Sequence, residues 1–138
     1  MSIKKVCTSH VVTLPRTSSI EEAAKLMKRH QIGDIVIIED DKPIGLLTDR
    51  DIVMRLAANE VDFNQVNVGE VMSSDLLLLA EDQGIARAIE AMRSKGVRRA
   101  PVVNEEGKLT GIVSVDDLLV LISHELSELA GLVQKQGV

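Results

Sequence analysis

The chain has 138 residues, of which 45% are hydrophobic and 27% charged, with a formal net charge of −5. That balance fits one globular domain, or two small half-domains sharing a core, and excludes a disordered polymer. The negative charge, the absence of Trp and Tyr, and a single aromatic residue, Phe63, argue against a nucleic-acid surface, which needs basic patches and stacking platforms.

In chain order, residues 11–14 form a short extended piece. A helix follows, with Ser18 or Ser19 as its cap ahead of Glu21 and Glu22, and with Ile20, Ala23, Ala24 and Met27 as its apolar stripe. Ile35-Val36-Ile37-Ile38 is a buried strand, and Asp40-Asp41-Lys42-Pro43 a turn. A second strand through Gly45-Leu46-Leu47 reaches Thr48-Asp49-Arg50-Asp51, where a helix starts and runs through Ile52-Val53-Met54-Arg55-Leu56. Residues 57–69 are a connection, partly loop, pinned by Phe63 and Val66.

The same order then returns. Residues 76–79 are extended, and Ile85, Ala88, Ile89 and Met92 mark a helix. Ala100-Pro101-Val102-Val103 is a strand, Asn104-Glu105-Glu106-Gly107 a turn, and Gly111-Ile112-Val113-Ser114-Val115-Asp116-Asp117 a strand ending in a helix start. Val6 aligns with Val71, Met27 with Met92 and Ile37 with Val102, at a constant shift of 65. One extra residue in the second turn moves Gly45/Gly111 and Asp51/Asp117 to a shift of 66. A register kept this long and broken only in a turn marks a duplication of a β-α-β-β-α unit. One unit is too small to bury its apolar faces, so two must share a core, with clefts between equivalent edges. The last helix, from Asp117 to about Gln134, carries a stripe of Leu118, Leu121, Ile122, Leu129, Leu132 and Val133 suited to packing on the body, to a dimer contact, or to both.

Each copy places a hydroxyl (Thr48, Ser114) and, three residues on, a carboxylate (Asp51, Asp117) at a helix start. Helix capping explains the pattern for a single copy. Free N–H groups beside a carboxylate also suit a nucleotide, the dipole favouring an anionic group and the acid accepting from sugar hydroxyls. The duplication favours the second explanation.

With those phrases in place, and with Gly96-Val97-Arg98-Arg99-Ala100-Pro101-Val102-Val103 beside them, the chain resembles a pair of CBS motifs, a Bateman module, over residues 6 to about 122. The resemblance implies an α/β (α+β) fold of two β-α-β-β-α motifs with pseudo-twofold symmetry, the first in residues 1–66 and the second in residues 67–138. It implies binding of an adenosine-type regulatory ligand (AMP, ADP, ATP or S-adenosylmethionine) between the motifs, no obligatory cofactor, and a homodimer acting on an unidentified regulated protein. Asp51 and Asp117 would accept from ribose, Thr48 and Ser114 would meet phosphate, and the base would lie against backbone near residues 8–11, ending at Val11, or residues 73–76, ending at Leu76, between aliphatic side chains. Arg98 and Arg99 in the second unit stand where the first has Gly33 and Asp34, so the two clefts are expected to differ. Bidentate phosphate contacts and surface ion pairs are both open to these arginines. Arg50 is a further phosphate candidate.

Other chemistry finds no support. Cys7 is the only cysteine, and His10, His30 and His124 lack metal-ligand spacing. No phosphate-cradling glycine loop, dinucleotide fingerprint or activated nucleophile is present, so no catalytic residue or metal ligand is assigned. The first residues lack the apolar core of a signal peptide and no apolar run is long enough to span a bilayer, so a cytoplasmic location is expected. The competing expectation is a ligand-free dimerisation or scaffold module.

Overall fold

The computed structural model describes residues 1–135. Its elements are β1 (Thr13–Pro15), α1 (Ile20–His30), β2 (Asp34–Glu39), β3 (Lys42–Thr48), a one-turn helix α2 (Asp49–Asp51) running on as π-helix (Ile52–Ala57), and α3 (Val68–Val71). The second unit contributes β4 (Leu79–Ala80), α4 (Ile85–Lys95), β5 (Arg99–Val103), β6 (Leu109–Ser114) and α5 (Val115–Lys135). Two three-stranded sheets result, ordered β1-β2-β3 and β4-β5-β6, each with one parallel and one antiparallel pairing. This is the duplicated β-α-β-β-α architecture.

Local chemistry accounts for the boundaries. Ser19 caps α1 by accepting from the Glu22 N–H, and Gln31 ends the helix in the left-handed region. The β2–β3 hairpin turns on Asp40 and Asp41, both at positive φ, so Lys42 and Pro43 already belong to β3 and not to the turn. The second hairpin is longer. Asn104 Oδ1 accepts from the N–H groups of Glu106 and Lys108, and Gly107 supplies the positive φ. The stripes of α1 and α4 bury Ile20, Ala23, Met27, Ala88 and Met92, whereas Ala24 and Ile89 are exposed.

There are two aliphatic cores, and each takes residues from the other unit's leading arm. Ile3 is fully buried with Leu79, Ala88, Met92, Val102 and Val113. Val68, its counterpart, is fully buried with Leu14, Ile20, Ile35, Ile37 and Leu47. Thr8 bridges to Ile112 on β6 and Ser73 bridges to Leu46 on β3, each through two reciprocal 2.9 Å backbone bonds. The exchanged arms give the pseudo-twofold its physical form. Of the two residues expected to pin the connection, Phe63 is 39% exposed, whereas Val66 packs against the first core, to which the buried Val68 and Val71 also belong. Among the described residues, no helix is long and apolar enough to cross a membrane.

Candidate functional site

The duplicated helix starts are capped as the first of the two readings expects. The Asp51 N–H donates to Thr48 Oγ1 and the Thr48 N–H to Asp51 Oδ2, each at 3.0 Å. In the second copy the Asp117 N–H donates to Ser114 Oγ at 3.1 Å and the Ser114 N–H to Asp117 Oδ2 at 3.2 Å. These reciprocal pairs are capping boxes. They consume one oxygen of each carboxylate and fix the direction of the other.

The second oxygen separates the two copies. Asp51 Oδ1 lies 3.7 Å from Arg55 Nε, and Arg55 also donates to the Val71 carbonyl at 2.8 Å. In the second motif, Asp117 opens into a cleft of about 260 Å³ lined by Thr8, Val11, Ile32, Asp34, Arg99 and Ser114, with His10, Val12 and Ile112 completing the wall. That volume sits just below the usual range of small-molecule pockets, roughly 300 Å³ upward, and suits one nucleoside-sized group. Aliphatic faces from Val11, Val12, Ile32 and Ile112 supply apolar surface for a flat base, and Asp117 and Ser114 supply the polar end.

The sequence candidates thus fall into separate places. Val11, Arg99, Ser114 and Asp117 line this cleft together. Thr48 and Asp51 form the equivalent corner of the first motif, and Leu76, the counterpart of Val11, follows the Ser73 bridge on that side. Arg50 borders a shallow surface groove with Asp49, Val53 and Met54. Arg98 lies 3.7 Å from Asp116, both side chains about three-quarters exposed, a pair of little energetic weight. Arg99 donates instead to Asp34, its own counterpart in the duplication.

Thr8 and His10 fall in the 8–11 stretch expected beside the base, whereas Val12, Ile32 and Ile112 are not signalled as ligand contacts by the sequence. Ile32 follows the left-handed end of α1, and its inward turn depends on that cap. Cys7 packs against Gly111, each adjacent in sequence to a lining residue, Thr8 and Ile112. Burial pushes its thiol above the ordinary value, and the nearby Glu81 and Asp117 carboxylates act in the same direction.

Comparison with known proteins agrees with this architecture. The family model described as CBS domain matches twice, over residues 3–58 and 68–124. The chain belongs to the CBS-domain family. Among curated CBS-family relatives, the CBS domain-containing protein YhcV of Bacillus subtilis is 39% identical, over 86% of this chain and 84% of its own length. The uncharacterized protein MK0525 of Methanopyrus kandleri is 36% identical over 86% of this chain, which spans only 61% of that longer protein. Among solved structures, the CBS domain pair of protein MJ0100, in complex with 5′-methylthioadenosine and S-adenosyl-L-methionine, superposes with a TM-score of 0.78 at 25% identity, covering 91% of this chain and 98% of that one.

Proposed function

We propose that this CBS pair is a regulatory module that binds an adenosine-type ligand in the cleft at Ser114 and Asp117, carries out no catalysis itself, and acts on a partner protein in the cytoplasm. The observation that carries the reading is the free half of the Asp117 carboxylate. It is held by its capping box at the mouth of a nucleoside-sized, aliphatic-walled cleft. A ribose diol donates to such an oxygen through charge-assisted hydrogen bonds, and the base lies between Val11 and the Ile32 and Ile112 side chains. The MJ0100 pair, with its adenosine-derived ligands, supports the class of ligand. AMP, ADP, ATP and S-adenosylmethionine remain the candidates.

Asp117→Asn tests this without removing the cap, because an amide oxygen still accepts from the Ser114 N–H. The amide nitrogen then replaces the free acceptor. Losing a charge-assisted bond of about 1.5–3 kcal/mol lowers affinity roughly tenfold to a hundredfold. Isothermal titration of the adenosine-type panel should show that loss in Asp117→Asn and a smaller one in Asp51→Asn, whose free oxygen already faces Arg55. Equal affinity in the wild type and Asp117→Asn would rule out the ribose assignment.

A second feature supports self-association. On α5, Leu119, Ile122, Leu126, Leu129 and Val133 follow one another at spacings of three and four, and each is 48% to 65% exposed. That spacing suits the seam of a two-stranded coil, for which a second copy of the chain would supply a matching stripe. Leu129→Asp is expected to turn a dimer into a monomer in sedimentation at micromolar concentration while leaving cleft affinity within about twofold. A scaffold without ligand would show the same loss of the dimer but no titration heat with any adenosine compound.

A further inference from the structure

Three charged side chains line the Ser114–Asp117 cleft: Asp34, Arg99 and Asp117. Asp34 and Arg99 occupy one position of the duplicated unit, 65 residues apart, and meet each other between the motifs. Arg99 Nη1 donates to Asp34 Oδ1, with the carboxylate side chain only 14% exposed and the arginine 36%. The cation that a 5′-phosphate would require is therefore already committed. Drawing it away strands a largely buried carboxylate, and an uncompensated charge of that kind is strongly unfavourable. Arg98 does not substitute, because it lies outside the lining and beside Asp116.

With Arg99 balanced by Asp34, Asp117 is the lining carboxylate left without a side-chain counter-ion, and its full charge outweighs the partial positive end of α5 beside it. A phosphate dianion entering beside Asp117 meets repulsion and no free guanidinium. A neutral 5′ group meets neither, and a cationic one is attracted. We propose that the cleft selects adenosyl ligands whose 5′ substituent is neutral or cationic and discriminates against 5′-phosphates, with the Asp34–Arg99 pair as the selectivity element. The proposal rests on the adenosine reading above and narrows it.

The test is isothermal titration of the whole chain with adenosine, 5′-methylthioadenosine, S-adenosylmethionine and AMP, on the wild type, Asp34→Asn and Arg99→Gln. The wild type is expected to bind 5′-methylthioadenosine and S-adenosylmethionine roughly tenfold or more tightly than AMP. Asp34→Asn keeps an acceptor for Arg99 but removes the charge, so the preference should shrink about fivefold or more through a gain in AMP affinity. Arg99→Gln leaves the carboxylate unpaired and should widen the preference, and thermal melts confirm that both variants are folded.

AMP binding as tightly as 5′-methylthioadenosine in the wild type would overturn the proposal, as would an unchanged ratio in Asp34→Asn. His10→Asn run in parallel isolates the other lining residue able to carry a positive charge. A preference that collapses with His10 and not with Asp34 would also overturn the proposal. If adenosine itself does not bind, the adenosine reading falls and this proposal with it. If adenosine binds and AMP binds better, only the narrower proposal falls.

Discussion

Ile3→Ala is expected to lower the unfolding free energy by about 2–5 kcal/mol, although the residue stands third in the chain. Here Ile3 has no exposed surface and sits in the second motif's core against Leu79, Ala88, Met92, Val102 and Val113. Its N–H donates to the Gln83 carbonyl at 2.9 Å and the Lys4 N–H to the Glu81 carbonyl at 3.0 Å. Truncation to alanine therefore opens a cavity between two elements that cannot collapse independently. Urea unfolding should show a lower midpoint with an unchanged slope. Lys5→Ala, two residues on and exposed, should shift stability by no more than about 0.5 kcal/mol. Equal effects at the two positions would show that the arm is not docked.

The arms mark the boundary of what the sequence displays. The duplication, both strand pairs, the helix stripes and the hydroxyl-x-x-Asp starts are visible because each is a local pattern with a fixed period or spacing. Ser19, Thr48 and Ser114 were recognisable as caps for the same reason. Arm exchange is not local. Ile3 and Val68 lie in short, weakly patterned stretches, and nothing in them says which unit's core receives them. The Asp34–Arg99 contact was hidden likewise. The sequence shows an acid and a base at equivalent positions, but only the pseudo-twofold brings equivalent positions face to face. Of the three arginines open to phosphate from sequence, Arg50 and Arg98 lie on the surface, and Arg99 lies in the cleft, where it takes the ion-pair alternative with Asp34.

That near-symmetry also accounts for the difference between the clefts. The two capping boxes superpose in their chemistry, so the helix starts alone predict two equal sites. What breaks the equality lies one turn further on. Arg55 follows Asp51 by four residues and reaches back to it, whereas Leu121 holds the matching place after Asp117. An apolar residue there leaves the Asp117 carboxylate without a neighbouring cation on its own helix. Both carboxylates keep an oxygen outside the capping box. That of Asp51 has the half-exposed Arg55 3.7 Å away, a weak pair that competes modestly with a ligand, whereas that of Asp117 has no such cation one turn on.

Gly111→Val is expected to cost about 3 kcal/mol or more and to abolish ligand binding at the Ser114–Asp117 cleft. A Cβ at position 111 would lie 2.7 Å from Cys7 Sγ and 2.9 Å from the Thr8 carbonyl oxygen, closer than real Cβ contacts come. The Thr8 carbonyl is fixed because it accepts from Ile112, and the Thr8 N–H donates back to it. Relief requires the arm to leave β6, giving up two backbone bonds at about 0.5–1.5 kcal/mol each on top of about 1–3 kcal/mol of overpacking. The same movement takes Thr8 and Val11 out of the cleft wall.

Gly45, the counterpart, provides the control. A Cβ there would meet Met72 Sδ at 2.1 Å, Cγ at 2.7 Å and Cβ at 3.1 Å, all atoms of a flexible side chain. Gly45→Ala should therefore be rescued by Met72→Ala in a double-mutant cycle. Gly111→Ala should not be rescued by Cys7→Ala, because the obstructing carbonyl cannot be trimmed. Denaturation midpoints and ligand titrations on the two cycles measure both expectations. Rescue at Gly111 by Cys7→Ala alone would mean that the arm yields at its side chain, and that the cleft wall does not depend on the Thr8 backbone pairing.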